Sequence, residues 1–280
     1  MDLTHFAIDT VTLAGSLEDK LAVTREAGFG GIEIWAKDLV SHAGGVPGAV
    51  AAIRSSGLRV TSFQLLRDYE GLDGHLREYK MDIARSLMDL MEAVGAPVLV
   101  VASSTSPYAQ DNREKIADDL AALADLAARR GIRVAFGAPA WGRWISDYPA
   151  VWDAVRRANR ENLGVLINAF HLLARGTSLE ALDAIPGDRI FLVQLADYLG
   201  DLRDITETAD HRRAFPNESA HRSIIADLIR RIHTAGYRGD YVFEVFNDEY
   251  LHLAPASIVA RAQKAAQWIV DMISPAPAAA

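Results

Sequence analysis

The sequence predicts a closed (β/α)8 barrel, and three observations carry that prediction. Short apolar runs alternate with amphipathic stretches eight times along the chain. The 280 residues suit a barrel of this kind, which uses about 250 residues as one domain. The turn after the first apolar run, DTVTLAGSLED (9–19), lacks the G-x-G-x-x-G spacing that an open doubly wound sheet needs there.

The elements follow in order. His5–Ile8 is the first strand, and LEDKLAVTREAG (17–28) is a helix that stops on glycine, the residue that most readily adopts the left-handed end conformation. GFGG (28–31) precedes the second strand, Gly31–Trp35, so it reads as a helix stop and not as a phosphate loop. Arg59–Gln64 and Pro97–Ala102 are the next two strands; REKIADDLAALADLAARRG (113–131) is a helix ending on another glycine. Arg133–Phe136, Gly164–Ile167, Ile190–Gln194 and Tyr241–Phe246 complete the eight. Near-continuous apolar strands of this sort belong to a parallel sheet buried on both faces. The stretch from Pro255 to Met272 is the last helix, and residues 1–273 form one domain. SPAPAAA (274–280) has no periodicity and is expected to be a disordered tail. The longest connection, residues 197–223, is expected to be a folded loop over the active site.

Charge and composition narrow the function. A net charge of -8 argues against a nucleic-acid groove or an anionic membrane surface. The absence of cysteine removes disulfides, thiolate metal sites and a Cys nucleophile. MDLTHFAIDT has no basic region followed by an apolar run, and no apolar run reaches the ~18 residues of a membrane span, so the expected location is the cytoplasm. The expected partner is a small molecule; self-association stays open.

In such barrels the reacting groups lie at the C-terminal strand ends and the loops after them. Those positions carry Glu33, Gln64, Arg67, Ser103, Ser104, Gly137, Asn168, His171, Gln194, Asp197, Glu244, Asn247 and Asp248. Loops add Trp141, Arg143, His211, Arg212 and Arg213. This is a polar, mixed-charge mouth with aromatic walls, suited to a small, oxygen-rich ligand. The loops after strands seven and eight carry Asp197, Asp201, Asp248 and Glu249 and no glycine-rich cradle, which disfavours a phosphorylated substrate.

AWGR (140–143), FHLLARG (170–176), FLVQLADY (191–198), HRRAFP (211–216) and EVFNDE (244–249) resemble the xylose isomerase-like barrels, a sugar isomerase superfamily. Within it they are most similar to bacterial 3-dehydroshikimate dehydratases, as are LRDYEG (66–71) and GSLEDKLAVTREAGFGGIEIW (15–35). The resemblance implies one divalent ion held by Glu, Asp, Gln or His, and Glu at the ends of strands five to eight. Carried over, those positions are Gly137, Asn168, Gln194 and Glu244, so two carboxylates are missing. A loop histidine common after WGR is here Trp144. Hard cations usually need several anionic ligands to offset dehydration. The expectation is therefore no metal ligand set and no cofactor, with room only for weak Mg²⁺ or Mn²⁺ binding through Gln194 and Glu244.

The expected function is a 3-dehydroshikimate dehydratase-like lyase or isomerase. It would act on a small cyclic or sugar-like hydroxy-ketone, carboxylated or neutral, by proton abstraction next to a carbonyl. Glu244 and His171 are the acid–base candidates. Arg67 and Arg213, with His211, are candidates for gripping a carboxylate; Gln194 and Asn168 would bond substrate oxygens and Trp141 would wall the pocket. Arg212 suits a surface ion pair better than Arg213. The alternatives are a metal-free isomerase, epimerase or lyase on another substrate, and a catalytically silent ligand-binding or partner subunit.

Overall fold

Eight parallel strands close on one another in the order β1-β10-β7-β6-β5-β4-β3-β2 in a computed structural model that describes residues 2–205 and 207–273. The strands are β1 (Phe6–Asp9), β2 (Gly31–Trp35), β3 (Arg59–Arg67), β4 (Val98–Ala102), β5 (Arg133–Gly137), β6 (Leu163–Asn168), β7 (Ile190–Leu195) and β10 (Tyr241–Phe243). Between them run α1 (Leu17–Glu26), α2 (Ala36–Val40), α3 (Gly45–Ser56), α4 (Gly74–Val94), α5 (Arg113–Ala128), α6 (Tyr148–Ala158), α7 (Ala169–Arg175), α8 (Arg222–Thr234) and α9 (Pro255–Ile273). The predicted barrel is thus the observed one. The tail 274–280 lies outside the described residues.

Local chemistry sets the helix ends. Ser16 and Asp19 form a capping box at the start of α1, each satisfying a backbone N–H of the other. Asp147 caps α6, whose second residue is Pro149, and Asn159 ends it in the left-handed conformation. Inside the barrel, Ala7, Val98, Val100, Ala135, Leu166, Phe191, Leu192 and Val242 pack as one small apolar cluster. A larger cluster fills the layer between strands and helices. Among the described residues, no helix is long and apolar enough to cross a membrane.

Two departures from the predicted boundaries shape the mouth. β3 runs on to Arg67 through a register shift against β4 between Phe63 and Leu66, which carries Arg67 to the rim. β10 stops at Phe243, three residues early. There Thr12 takes over, donating its hydroxyl to the Phe243 carbonyl and accepting the Val245 N–H at 3.0 Å. The long connection after β7 is folded, as expected: β8 (Asp197–Tyr198) pairs antiparallel with β9 (Arg213–Ala214). Asp197, placed at the mouth by sequence, is instead buried in this connection, where it accepts from Ser219, His221 and the Tyr198 N–H.

Candidate active site

The C-terminal end of the barrel holds a pocket with an empty volume of about 640 Å³, its open mouth included. Arg67, Trp141, Asn168, His171, Gln194, Arg213 and Glu244, all expected at the site, line it. His211 does not. Its imidazole is turned to the surface, 3.1 Å from Asp248 and against the ring of Phe246, so it is not a carboxylate-gripping residue of this pocket. Trp144 also faces away, donating its indole N–H to the Ala109 carbonyl at 2.7 Å. Arg212 is exposed, as the sequence suggested.

Asn168 organises the floor. Its Oδ1 accepts the His171 N–H at 3.3 Å and so caps α7, which fixes the amide orientation. Its Nδ2 therefore faces inward, donating to Gln194 Oε1 at 3.0 Å and to Glu244 Oε2 at 2.7 Å. The Tyr148 hydroxyl accepts the Asn168 N–H at 2.7 Å and donates to its carbonyl at 3.2 Å. Gln194 in turn donates to Glu33 Oε1 at 2.7 Å, and Ser62 donates to the other Glu33 oxygen. Below them Asp9 is wholly buried beside Glu33 and accepts from Gln64. Burial, with the Glu33 charge added, drives the Asp9 carboxyl well above its usual range; burial pushes Glu33 up to about 6. Two carboxyls so placed share protons as a pair, and they make the floor a rigid polar base.

Arg213 forms the wall beside Glu244 and is 2 % exposed. Its Nε and Nη2 donate to Asp210 Oδ1, and Nη2 also lies 3.4 Å from His171 Nε2. Nη1 donates to the Glu244 carbonyl at 3.2 Å and to Glu244 Oε2. A guanidinium has five N–H groups, and all five have partners here, so Arg213 has none left for a substrate carboxylate. Its plane lies over Phe170 and Phe246, at 4.4 and 5.0 Å from the ring centroids. Burial is the largest influence on Asp210 and opposes its ionisation, but the Arg213 charge and hydrogen bonds together with its other neighbours hold that carboxyl below its usual range. Burial raises Glu244 despite Arg213.

His171 is also re-read. Burial, then the Arg213 charge, pulls its imidazole down to about 3, so it is neutral at physiological pH. Both ring nitrogens face donors, the Ala140 N–H lying 3.4 Å from Nδ1 and Arg213 Nη2 3.4 Å from Nε2. Trp141 packs edge-on against the ring at 5.0 Å. The His171 ring nitrogens are thus turned to Ala140 and Arg213 while the side chain lines the pocket.

Arg67 is the contrasting cation. It is exposed, lines the pocket, and its guanidinium has no hydrogen-bond or ion-pair partner among the described residues. It is thus the residue free to take a substrate carboxylate by a two-pronged hydrogen bond. Replacing Arg67 by methionine is expected to raise KM for a carboxylated substrate at least about tenfold while kcat and Tm hold, as steady-state kinetics and thermal melts will show.

Sequence reading missed Asp210, Leu166, Asp9 and the loop clamp of Asp68 and Glu70. Asp68 Oδ1 accepts the N–H groups of Thr105 and Ser106, and Glu70 accepts that of Ser104, so both hold the loop whose Ser103 and Thr105 line the pocket. Glu70 Oε2 is buried without a partner, and burial pushes this carboxyl up to about 7. A carboxyl whose folded pKa is raised stabilises the fold fully below its unfolded value of about 4.5 and loses that contribution as pH rises through about 7. Glu70→Gln keeps the Ser104 bond and removes the titration. Its stability is expected to be flatter between pH 5 and 8 than wild type, and higher than wild type at pH 8, by denaturant titration.

The four positions that the resemblance assigns to a divalent ion do not fit one. Gly137 brings no ligand, Asn168 presents N–H groups to the centre, and Glu244 already faces Arg213. Among the described residues, no group of three or more His, Cys, Asp or Glu could hold a metal ion.

Comparison with known proteins agrees with this architecture. The family described as "Xylose isomerase-like TIM barrel" matches residues 21–272. The chain belongs to that family. It is 36% identical over 244 residues to 3-dehydroshikimate dehydratase of Pseudomonas putida, covering 87% of this chain and 38% of that protein. It is 23% identical over 221 residues to inosose isomerase of Bacillus subtilis, covering 74% of this chain and 72% of that one. Among solved structures, a xylose isomerase-like TIM barrel/4-hydroxyphenylpyruvate dioxygenase fusion protein superposes with a TM-score of 0.89 at 32% identity, over 97% of this chain and 43% of that one. The chain therefore spans under half the length of the Pseudomonas relative and of the fusion protein.

Proposed function

We propose that this family member is a dehydratase or isomerase for a small cyclic hydroxy-ketone carrying a carboxylate, and that it works without a bound metal. The observation that carries the reading is the state of Glu244. One oxygen, Oε2, is held by Asn168 and Arg213, while Oε1 has no hydrogen-bond partner among the described residues and belongs to a pocket-lining side chain. A positioned carboxylate of raised basicity is what proton abstraction next to a carbonyl requires.

In the proposed reaction Arg67 takes the carboxylate. Glu244 Oε1 removes a proton from the carbon beside the carbonyl, and the C–H electrons pass into an enolate. Gln194 has one amide N–H uncommitted after its bond to Glu33 and lines the same pocket, so it donates to the enolate oxygen. The enolate then collapses with departure of the neighbouring hydroxyl, and Glu244 returns its proton to that oxygen as water. Reprotonation of the enolate at carbon instead gives an isomer. The names of the Pseudomonas and Bacillus relatives cover both outcomes and supply the first substrates to try.

The test is incubation of the chain with 3-dehydroshikimate and, separately, with an inosose, following products by chromatography and ultraviolet absorbance. Conversion of 3-dehydroshikimate to 3,4-dihydroxybenzoate is the expected result. Ligand-induced stabilisation with no turnover of either compound would instead point to a silent binding protein.

A further inference from the structure

We infer that the guanidinium of Arg213 is the resident positive charge of this site, and that Leu166 and the inward N–H groups of Asn168 close the place that a divalent ion would need. The inference deepens the metal-free part of the reading above. It starts at Gly137. A Cβ there would lie 2.9 Å from Leu166 Cδ2 and 3.0 Å from its Cβ and Cγ. Such contacts are tighter than packed carbon atoms normally show, so a side chain at 137 requires Leu166 to give way. Leu166 itself lies on a barrel wall with Ala135 and Val100, and it lines the pocket. An apolar side chain therefore fills the corner beside Asn168.

The second observation is the direction of the Asn168 amide. Its oxygen is committed to the cap of α7 and both its N–H bonds point to Gln194 and Glu244. A cation at that centre would meet donor hydrogens. The third is that Glu244, the one carboxylate of the four positions, already has a cation against Oε2. Arg213 is tied there by Asp210 on one side and His171 on the other, and is stacked between two aromatic rings. One guanidinium thus meets two carboxylates, the buried Glu244 and the half-buried Asp210, without any ion from solution. Arg213 acts through Glu244 and does not touch substrate, so it is a positioning residue.

Two measurements test this independently of turnover. The first is titration of the chain with Mn²⁺, read by calorimetry and by thermal melting. Wild type is expected to take up less than about a tenth of an equivalent and to shift its Tm by under about 1 °C. The variant Gly137→Glu with Leu166→Ala and Asn168→Asp, which reopens the corner and restores both carboxylates, is expected to bind close to one equivalent. Binding of one equivalent by wild type overturns the inference. Failure of both proteins to bind overturns the assignment of Leu166 and Asn168 as the barrier. If the triple variant does not fold, Asn168→Asp alone carries the comparison, with a Mn²⁺-dependent rise in Tm expected.

The second measurement is chemical rescue. Arg213→Ala is expected to regain Tm in about 10 mM guanidinium chloride and not in the same concentration of urea, a neutral molecule of the same shape. Equal response to both, or to neither, means that Arg213 acts by packing alone and overturns the charge assignment. If Arg213→Ala does not fold, Arg213→Met carries the same two additions. Absence of turnover with a silent Mn²⁺ titration would remove the proposed function and leave this inference standing.

Discussion

Glu244→Gln is expected to lower kcat by about 10²–10⁴-fold with KM changed by less than about threefold. The substitution is close to isosteric. The amide oxygen of glutamine can still accept from Asn168 Nδ2 and Arg213 Nη1, the two donors that hold Glu244 Oε2. The amide nitrogen then takes the place of Oε1 at the pocket, where it presents N–H groups and can accept no proton. Binding through Arg67 and the aromatic wall is left as it was, so the loss falls on the chemical step. Steady-state kinetics on a substrate identified as above will separate kcat from KM. Unchanged kcat would move the base to another residue. The only other carboxylates lining the pocket among the described residues, Asp68, Glu207 and Asp210, would be the next to replace.

The same residue shows how far sequence reading reached. The strands, though not all their ends, were predictable because parallel strands are apolar on both faces. Asn168, Gln194 and Glu244 stood out as polar groups at or near the ends of such runs and Glu33 as one within a run, and the structure brings Asn168, Gln194 and Glu244 to one pocket with Glu33 beneath them. Asp9 was missed because the first strand was ended one residue short, at Ile8. Arg213 was found for its charge, and the structure places its guanidinium against Asp210 and Glu244. No pattern in HRRAFP says whether a guanidinium faces substrate or a neighbouring carboxylate. The signal that could have decided it was Asp210, three residues earlier, a spacing at which an acid and an arginine can meet. His211 was misplaced for a related reason. Two residues before Arg213, it shares the strand-side parity of the buried side chain, but it lies before β9 begins, at the end of the 3-10 helix Glu207–His211, where alternation does not hold. The packing of Leu166 over Gly137 had no sequence signal, because it joins neighbouring strands in space at positions 29 residues apart.

Arg213→Ala is expected to destabilise the fold by about 3–5 kcal/mol, the cost typical of removing one partner from a buried ion pair. In a chain of this length that corresponds to a fall in Tm of roughly 10 °C. The loss has three parts. Glu244 and Asp210 lose the cation between them, His171 Nε2 loses its donor, and the faces of Phe170 and Phe246 open onto a gap. The electrostatic part has a pH signature that the packing part lacks. Without Arg213, the buried Glu244 and the half-buried Asp210 lose the charge that favours ionisation, so Glu244 rises further and Asp210 is no longer held low. A group raised in this way contributes most below its unfolded pKa and loses that contribution as pH rises through the folded value. The penalty for Arg213→Ala is therefore expected to be smaller near pH 5 than at pH 8, as denaturant midpoints at the two pH values will show. A penalty equal at both would assign the effect to the lost stacking. Arg213→Lys separates the two further, since an ammonium keeps the charge and has only three N–H donors, too few for the five contacts that the guanidinium makes.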